Sequence, residues 1–217
     1  MGRAEVIAEG GGWIAVDKPA GLPVVPAPVS DDCLWRSLEA ERGERLWVVH
    51  RLDRGTSGVV VFARDPDTHR RLSMAFEHGE VRKTYLAFVH GRPPEVPIDA
   101  PLHEARRGRM RPARPNEPRS LDARTDIRVL EMWKDASLVE ARPRTGRHHQ
   151  IRVHLKMIGT PLLADPVYAP AANGCAANLE DGRITLHAHT LEFEEAKLTS
   201  PLPGDLRRLQ TCLGEGK

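Results

Sequence analysis

The chain has 217 residues, a formal net charge of +2, and 40% hydrophobic against 29% charged residues, the composition of an ordinary soluble protein long enough for one large domain or two small ones. No apolar run approaches the roughly 18 residues that span a bilayer, and the opening MGRAEVIAEGGGWIAV, broken by Glu5 and Glu9, lacks a signal-peptide core, so neither a membrane nor a secreted role is expected. The three cysteines, Cys33, Cys175 and Cys212, are widely spaced, which gives no disulfide framework and suits a reducing cytoplasm.

GGWIAVDKPAGLPVVPAP predicts a strand over Trp13–Val16 and then a proline-rich extended segment. SDDCLWRSLEAER predicts a helix with Ser30 as N-cap and acids in its first turn. LWVVH and VVVFAR read as buried strands interrupted by RLDRGTSG. DPDTHRRLSMAFEHG predicts a helix that Asp65 caps, Pro66 begins and Gly79 stops, with Leu72, Ala75 and Phe76 along its apolar face. VRKTYLAFVHG reads as a strand with Val81, Tyr85, Ala87 and Val89 on one face. Residues 105–119, ARRGRMRPARPNEPR, are broken by three prolines and a glycine and read as a loop. RTDIRVLEMW and ASLVEARP form an antiparallel pair turning near Lys134. GRHHQIRVHLKMIG predicts a helix ended by Gly159; Ile151, Leu155 and Ile158 face inward and His148, Arg152 and Lys156 share an adjacent edge. RITLHAHTLEF is a late strand. Strands outnumber helices and are mostly consecutive, so the expected fold is α+β with a largely antiparallel sheet. With no break in composition, a single domain over residues 1–217 is expected.

The charge is unevenly distributed. Arginine outnumbers lysine 26 to 6; codon bias accounts for such an excess as readily as function does, but local clustering is more telling. The 105–119 loop carries six arginines against one glutamate, a pattern suited to a polyanion, with a merely solvated surface loop as the alternative.

Three segments set charge in a fixed apolar frame. HRLDRGTSG places Asp53 just past a buried strand; Gly55 and Gly58 permit a tight turn, and Thr56 and Ser57 can bond the backbone or a carboxylate. A half-buried carboxylate is costly unless paired or used. KTYLAFVHG puts Tyr85 mid-strand behind Lys83 and Thr84. RTGRHHQIRVHL brings Arg147, His149 and Arg152 to the first turns of a helix, whose N-terminal N–H groups favour an anion. On its own, RLDR reads first as a structural ion pair. His148, His149, His154, His187 and His189 lack zinc-site spacing, so no metal is expected; hydrogen bonding and packing are the simpler roles.

Together the segments resemble the RluA-type pseudouridine synthases. KPAGLPV (Lys18 to Val24), HRLDRGTSG (His50 to Gly58), KTYLAFVHG (Lys83 to Gly91) and TGRHHQIRVHL (Thr145 to Leu155) match that family's motifs in its order, and the likeness runs over about residues 10 to 205. Many members carry an extra N-terminal S4-like RNA-binding domain; here the pattern begins at the start of the chain, and none is expected.

The resemblance implies the pseudouridine synthase fold, a bent mixed sheet flanked by helices. It also implies isomerisation of uridine in structured rRNA or tRNA, with no metal, nucleotide or redox cofactor, in a cytoplasmic monomer. Asp53 matches the catalytic aspartate, which either attacks the ribose C1′ or removes the 2′ proton. Tyr85 matches the tyrosine that stacks on the base, and Arg152 the arginine paired with the aspartate. Arg51 matches the arginine that fills the space left by the flipped nucleotide. Thr56, Arg147, His149 and Gln150 join Arg51 as substrate-binding candidates, and the basic loop adds Arg106, Arg107 and Arg109. Two other readings stand beside this one: an RNA-binding protein without catalysis, and a hydrolase using Asp53 with a histidine base.

Overall fold

A computed structural model describes residues 4–27, 31–169, 171–172, 174–194 and 196–216, with the backbone alone for Arg107. In chain order the elements are β1 (Glu5–Gly10), β2 (Trp13–Lys18), α1 (Leu34–Arg42), β3 (Trp47–Val48), β4 (Ser57–Ala63), α2 (Pro66–Glu77), β5 (Arg82–His90), β6 (Ile98–Asp99), β7 (Leu102–Glu104), β8 (Met110–Pro112), β9 (Arg124–Met132), β10 (Ala136–Pro143), α3 (Gln150–Met157), β11 (Leu186–Phe193), β12 (Ala196–Thr199) and α4 (Gly204–Glu215). They pack as two compact units, Met1–Arg82 with His187–Leu202, and Lys83–Leu186 with Pro203–Lys217. Among the described residues no helix is long and apolar enough to cross a membrane.

In the first unit β4 is central, and all seven of its residues are buried. It pairs antiparallel with β2 and β3 and parallel with β11, while β1 and β12 extend the sheet antiparallel; the sheet is therefore mixed, as the resemblance implied. Leu72 and Ala75 of α2 pack on it with Ala15, Val59, Val61 and Leu191, each large side chain contributing about 1.5–3 kcal/mol by leaving water. Helix α2 forms as expected: Asp65 accepts from the Thr68 amide at 2.7 Å, and Pro66 takes the first turn. Val81 packs in this unit and so does not share a cluster with Tyr85, contrary to the one-face expectation for VRKTYLAFVHG.

Three expectations here need correction. The LWVVH strand is only two residues long, because the His50 side chain takes over the ladder: its Nε2 accepts the Val61 amide at 3.0 Å and its ring stacks on Phe76. Gly58 lies inside β4 rather than in a turn. Its φ is +118°, and a Cβ there would stand 2.2 Å from the Ala188 carbonyl oxygen of β11, so only glycine allows the close parallel approach. Helix α1 begins at Leu34 after Cys33, with no acid in its first turn; the expected cap, Ser30, lies outside the described residues.

In the second unit β5, β10, β9 and β6 form an antiparallel run, and the β9–β10 turn falls at 133–135 as the sequence predicts. Ile151, Leu155 and Ile158 pack on Ala87, Val89, Val139 and Ala141. The basic loop is not irregular throughout: β7 and β8 pair antiparallel around a 3-10 turn at Arg106–Gly108. Helix α4 was not anticipated; it buries Leu206 and Leu209 and is tied down by Arg183 to Asp205 at 2.6 Å. It also brings Cys212 onto Cys175 in a disulfide, with Cα atoms 5.9 Å apart. The expectation of no disulfide is thus overturned, because a sequence separation of 37 reveals no such approach.

Candidate active site

In the first unit Asp53 sits half-buried in the turn that enters β4. Its backbone carbonyl accepts the Thr56 amide at 3.0 Å, closing the Arg54–Gly55 turn. Thr56 is 1% exposed, and its hydroxyl has no hydrogen-bond partner among the described residues. Ser57 bonds the buried His187 ring at 3.0 Å. Arg51 is exposed to solvent.

Lys18, which opens the KPAGLPV motif but was assigned no part in the site, is fully buried at the end of β2. Its ammonium donates to the carbonyls of Pro19 at 2.8 Å, Leu22 at 2.7 Å and Arg54 at 3.2 Å. A buried ammonium is costly unless its donors are satisfied, and these carbonyls replace water. The result is a clamp joining the proline-rich strap to the turn that carries Asp53. Gly21 reinforces it by donating its amide to Arg54 at 2.8 Å, while Arg54 Nε donates back to the Gly21 carbonyl at 2.8 Å. The signal in the sequence was a lone lysine ending an apolar strand.

In the second unit Tyr85 lies half-buried on β5, packed against the cluster that holds Ile151 and Leu155. Lys83, two residues before it, stands with its Nζ 3.6 Å from the position a Cβ on Gly146 would take, and burial lowers its pKa. Helix α3 starts at Gln150, four residues after the Gly146 that opens the expected helical segment, so Arg147 and His149 precede it rather than lying in its first turns. Gln150 holds the approach. Its Oε1 accepts from Thr145 Oγ1 at 2.6 Å and the Arg147 amide at 3.0 Å, and its Nε2 donates to the Arg124 carbonyl at 2.9 Å and Thr125 Oγ1 at 3.0 Å. Four protein partners occupy that amide, which marks a positioning part in the loop. Arg147 is exposed and donates Nε to the Asp122 carbonyl at 3.0 Å. Below Gln150, the buried His154 bonds Thr125 Oγ1 at 2.9 Å and the Ala100 carbonyl at 3.0 Å, and burial holds its pKa under the ordinary histidine value.

Arg152 is almost wholly buried and grips Asp165 with two arms, Nε to Oδ2 at 2.7 Å and Nη2 to Oδ1 at 2.8 Å. Asp165 was not anticipated. It also accepts the amides of Val167 at 2.9 Å and Tyr168 at 3.1 Å, so the guanidinium and the following loop set each other's position. The guanidinium carbon lies 4.9 Å from the Tyr168 ring centroid. His149 holds a left-handed backbone, φ 54° and ψ 17°, at the start of α3; such strain in a non-glycine residue costs about 1–3 kcal/mol and gathers at functional positions.

The basic segment 105–119 is ordered by its one acid. Glu117 takes both arms of Arg111, at 2.8 and 2.6 Å, and the Arg114 amide at 2.9 Å; these bonds hold its pKa at about 2. Arg106 and Arg109 remain exposed at the hairpin turn, and the Arg107 side chain lies outside what the structure describes.

Comparison with known proteins places the chain in a family. The family model for RNA pseudouridylate synthase matches residues 12–157. An uncharacterised RNA pseudouridine synthase of Zymomonas mobilis is 40% identical, over 87% of this chain and 88% of its own length. A Chloroflexus aurantiacus relative described in the same words is also 40% identical, but this chain spans only 63% of its length. The ribosomal large subunit pseudouridine synthase D of Xanthomonas campestris is 35% identical over 93% of this chain and 67% of its own. Among solved structures, human RNA pseudouridylate synthase domain containing 4 superposes with a TM-score of 0.77 at 28% identity, covering 95% of this chain and 93% of that one. A family match across most of the chain, with relatives well above 30% identity, carries the conclusion: this chain belongs to the RNA pseudouridylate synthase family.

Proposed function

We propose that the chain isomerises specific uridines to pseudouridine in structured ribosomal or transfer RNA, as a cytoplasmic monomer. The bond from C1′ to N1 breaks, the base turns, and C5 bonds to C1′; the C5 proton leaves and N1 gains one. Atoms and electrons balance with no co-reactant. Asp53 is the essential carboxylate, either as nucleophile at C1′ or as base at the 2′ position. Tyr85 stacks on the base, and Arg152 supplies a cation held in place by Asp165. A uridine within a stem must be flipped out, at a cost of a few kcal/mol, and Arg51 fills the vacated stack. Thr56, Arg147 and His149 contact the nucleotide or its phosphates, and Arg106, Arg107 and Arg109 grip the flanking backbone.

The observation that carries this reading is the pinning of each motif-bearing loop by buried polar contacts: Lys18 at the Asp53 turn, Gln150 at Thr145–Arg147 and Asp165 at Arg152. Catalytic constellations need such rigid support. Several relatives are named for the ribosomal large subunit, which favours ribosomal RNA as the first substrate to try. Incubation with ribosomal RNA fragments and tRNA transcripts, followed by pseudouridine mapping, tests the proposal. Site-specific conversion is expected. Tight RNA binding with no conversion on any transcript would instead favour an RNA-binding protein without catalysis.

A further inference from the structure

The Tyr168 hydroxyl joins two parts of the second unit that lie far apart in sequence. It accepts the Met110 amide of β8 at 2.7 Å, and it lies 2.8 Å from His149 Nδ1. Tyr168 is itself buried, packed with Leu102, Met110, Ala123 and Val153, and its ring meets the His149 ring edge-on at 5.3 Å. The same ring lies under the Arg152 guanidinium, and its backbone amide is held by Asp165.

The direction of the Met110 bond follows from what its atoms can do, and that of the His149 bond from the tautomer of the ring. A backbone N–H only donates, so Tyr168 Oη is the acceptor toward Met110. His149 Nδ1, at 2.8 Å, takes the phenolic proton when the ring carries its own hydrogen on Nε2. We propose that Tyr168 is a positioning residue which donates to His149 Nδ1, fixes that ring as the neutral Nε2–H tautomer, and so presents an N–H donor to an acceptor oxygen of the bound RNA. The proposal rests on the pseudouridine synthase reading and adds a residue to it. The strained backbone of His149 agrees with a ring whose aim matters. The basic hairpin is built into the same contact, since the Met110 amide directly follows Arg109; what the hairpin grips and how His149 is aimed therefore share one hydroxyl.

The test uses the full chain labelled with 15N at histidine, with the His149 signals identified by their loss in His149→Asn. In the RNA-free protein near neutral pH, the proposal expects an unprotonated Nδ1 and a protonated Nε2. Tyr168→Phe keeps the ring under Arg152 and removes the hydroxyl. It is expected to turn His149 into a tautomer mixture and to lower kcat about ten- to a hundredfold, the scale for a misaligned contact, with RNA affinity within about twofold. A loss of packing alone would leave the tautomer where it was. A wild-type His149 protonated at Nδ1, an unchanged tautomer in Tyr168→Phe, or an unchanged kcat would each overturn the proposal. Because the tautomer is read without RNA, a wild-type chain that makes no pseudouridine overturns the activity assignment and leaves the tautomer result to decide this one.

Discussion

Arg152 and Asp165 form a two-armed ion pair whose side chains are 3% and 1% exposed. Removing one partner of such a pair leaves an uncompensated buried charge, which typically costs about 3–5 kcal/mol. Asp165→Asn is therefore expected to lower the unfolding midpoint by roughly 10 °C in a chain of this size, and to reduce activity even well below that midpoint, because the guanidinium loses its fixed aim. A midpoint within about 2 °C of the parent, the shift left by under 1 kcal/mol, would mean the pair is replaceable.

Glu117 gives a pH dependence with a definite sign. Its pKa is about 2 in the folded chain against an ordinary 4.5. A group with a lowered folded pKa contributes stability above its ordinary value and loses it as pH falls through the folded one. The hairpin around β7 and β8 is thus expected to loosen between pH 4.5 and about 2. Faster hydrogen exchange at the Arg114 amide, which Glu117 accepts at 2.9 Å, would register this. In Glu117→Gln that acid-induced change should disappear, and its persistence would point to another group.

The arginines of the hairpin turn should govern salt dependence. Each phosphate contact contributes about 0.7 to 0.9 to the slope of log affinity against log salt. Changing Arg106, Arg107 and Arg109 to alanine should flatten that slope by about two to three units, with turnover at saturating RNA retained. A change below about half a unit, less than one phosphate contact, would mean these side chains meet only water.

The Cys175–Cys212 disulfide closes a segment of 37 residues. On the chain-entropy account that loop length contributes about 3 to 4 kcal/mol. Cys212→Ser should lower the denaturant midpoint accordingly under oxidising conditions and match the reduced parent in the presence of dithiothreitol. Equal midpoints for oxidised and reduced parent protein would show that α4 holds without the bridge.

What could be read from the sequence follows from the range of the interactions involved. Helix α2 was legible because Asp65, Pro66 and Gly79 act within a turn of their own positions, and the β9–β10 pair because its turn is short and its strands are adjacent. The motifs marked Asp53, Tyr85 and Arg152, but not what holds their loops. Lys18 reaches Arg54 across 36 positions and Met110 reaches Tyr168 across 58; no local periodicity encodes such contacts. Asp165 is only 13 positions from Arg152, yet ADPVY looks like a turn until the buried guanidinium is seen beside it. Proline spacing suggested an irregular basic loop, whereas pairing with Leu102–Glu104 makes part of it a strand.

The central claim is that Asp53 performs the chemistry. The most direct measurement is single-turnover conversion of a mapped target uridine by the parent and by Asp53→Asn, with RNA affinity measured alongside. The claim predicts affinity within about threefold and conversion reduced by several powers of ten, the usual cost of losing an essential nucleophile or base. Conversion by Asp53→Asn above about one percent of the parent rate, too fast for loss of such a group, would contradict it.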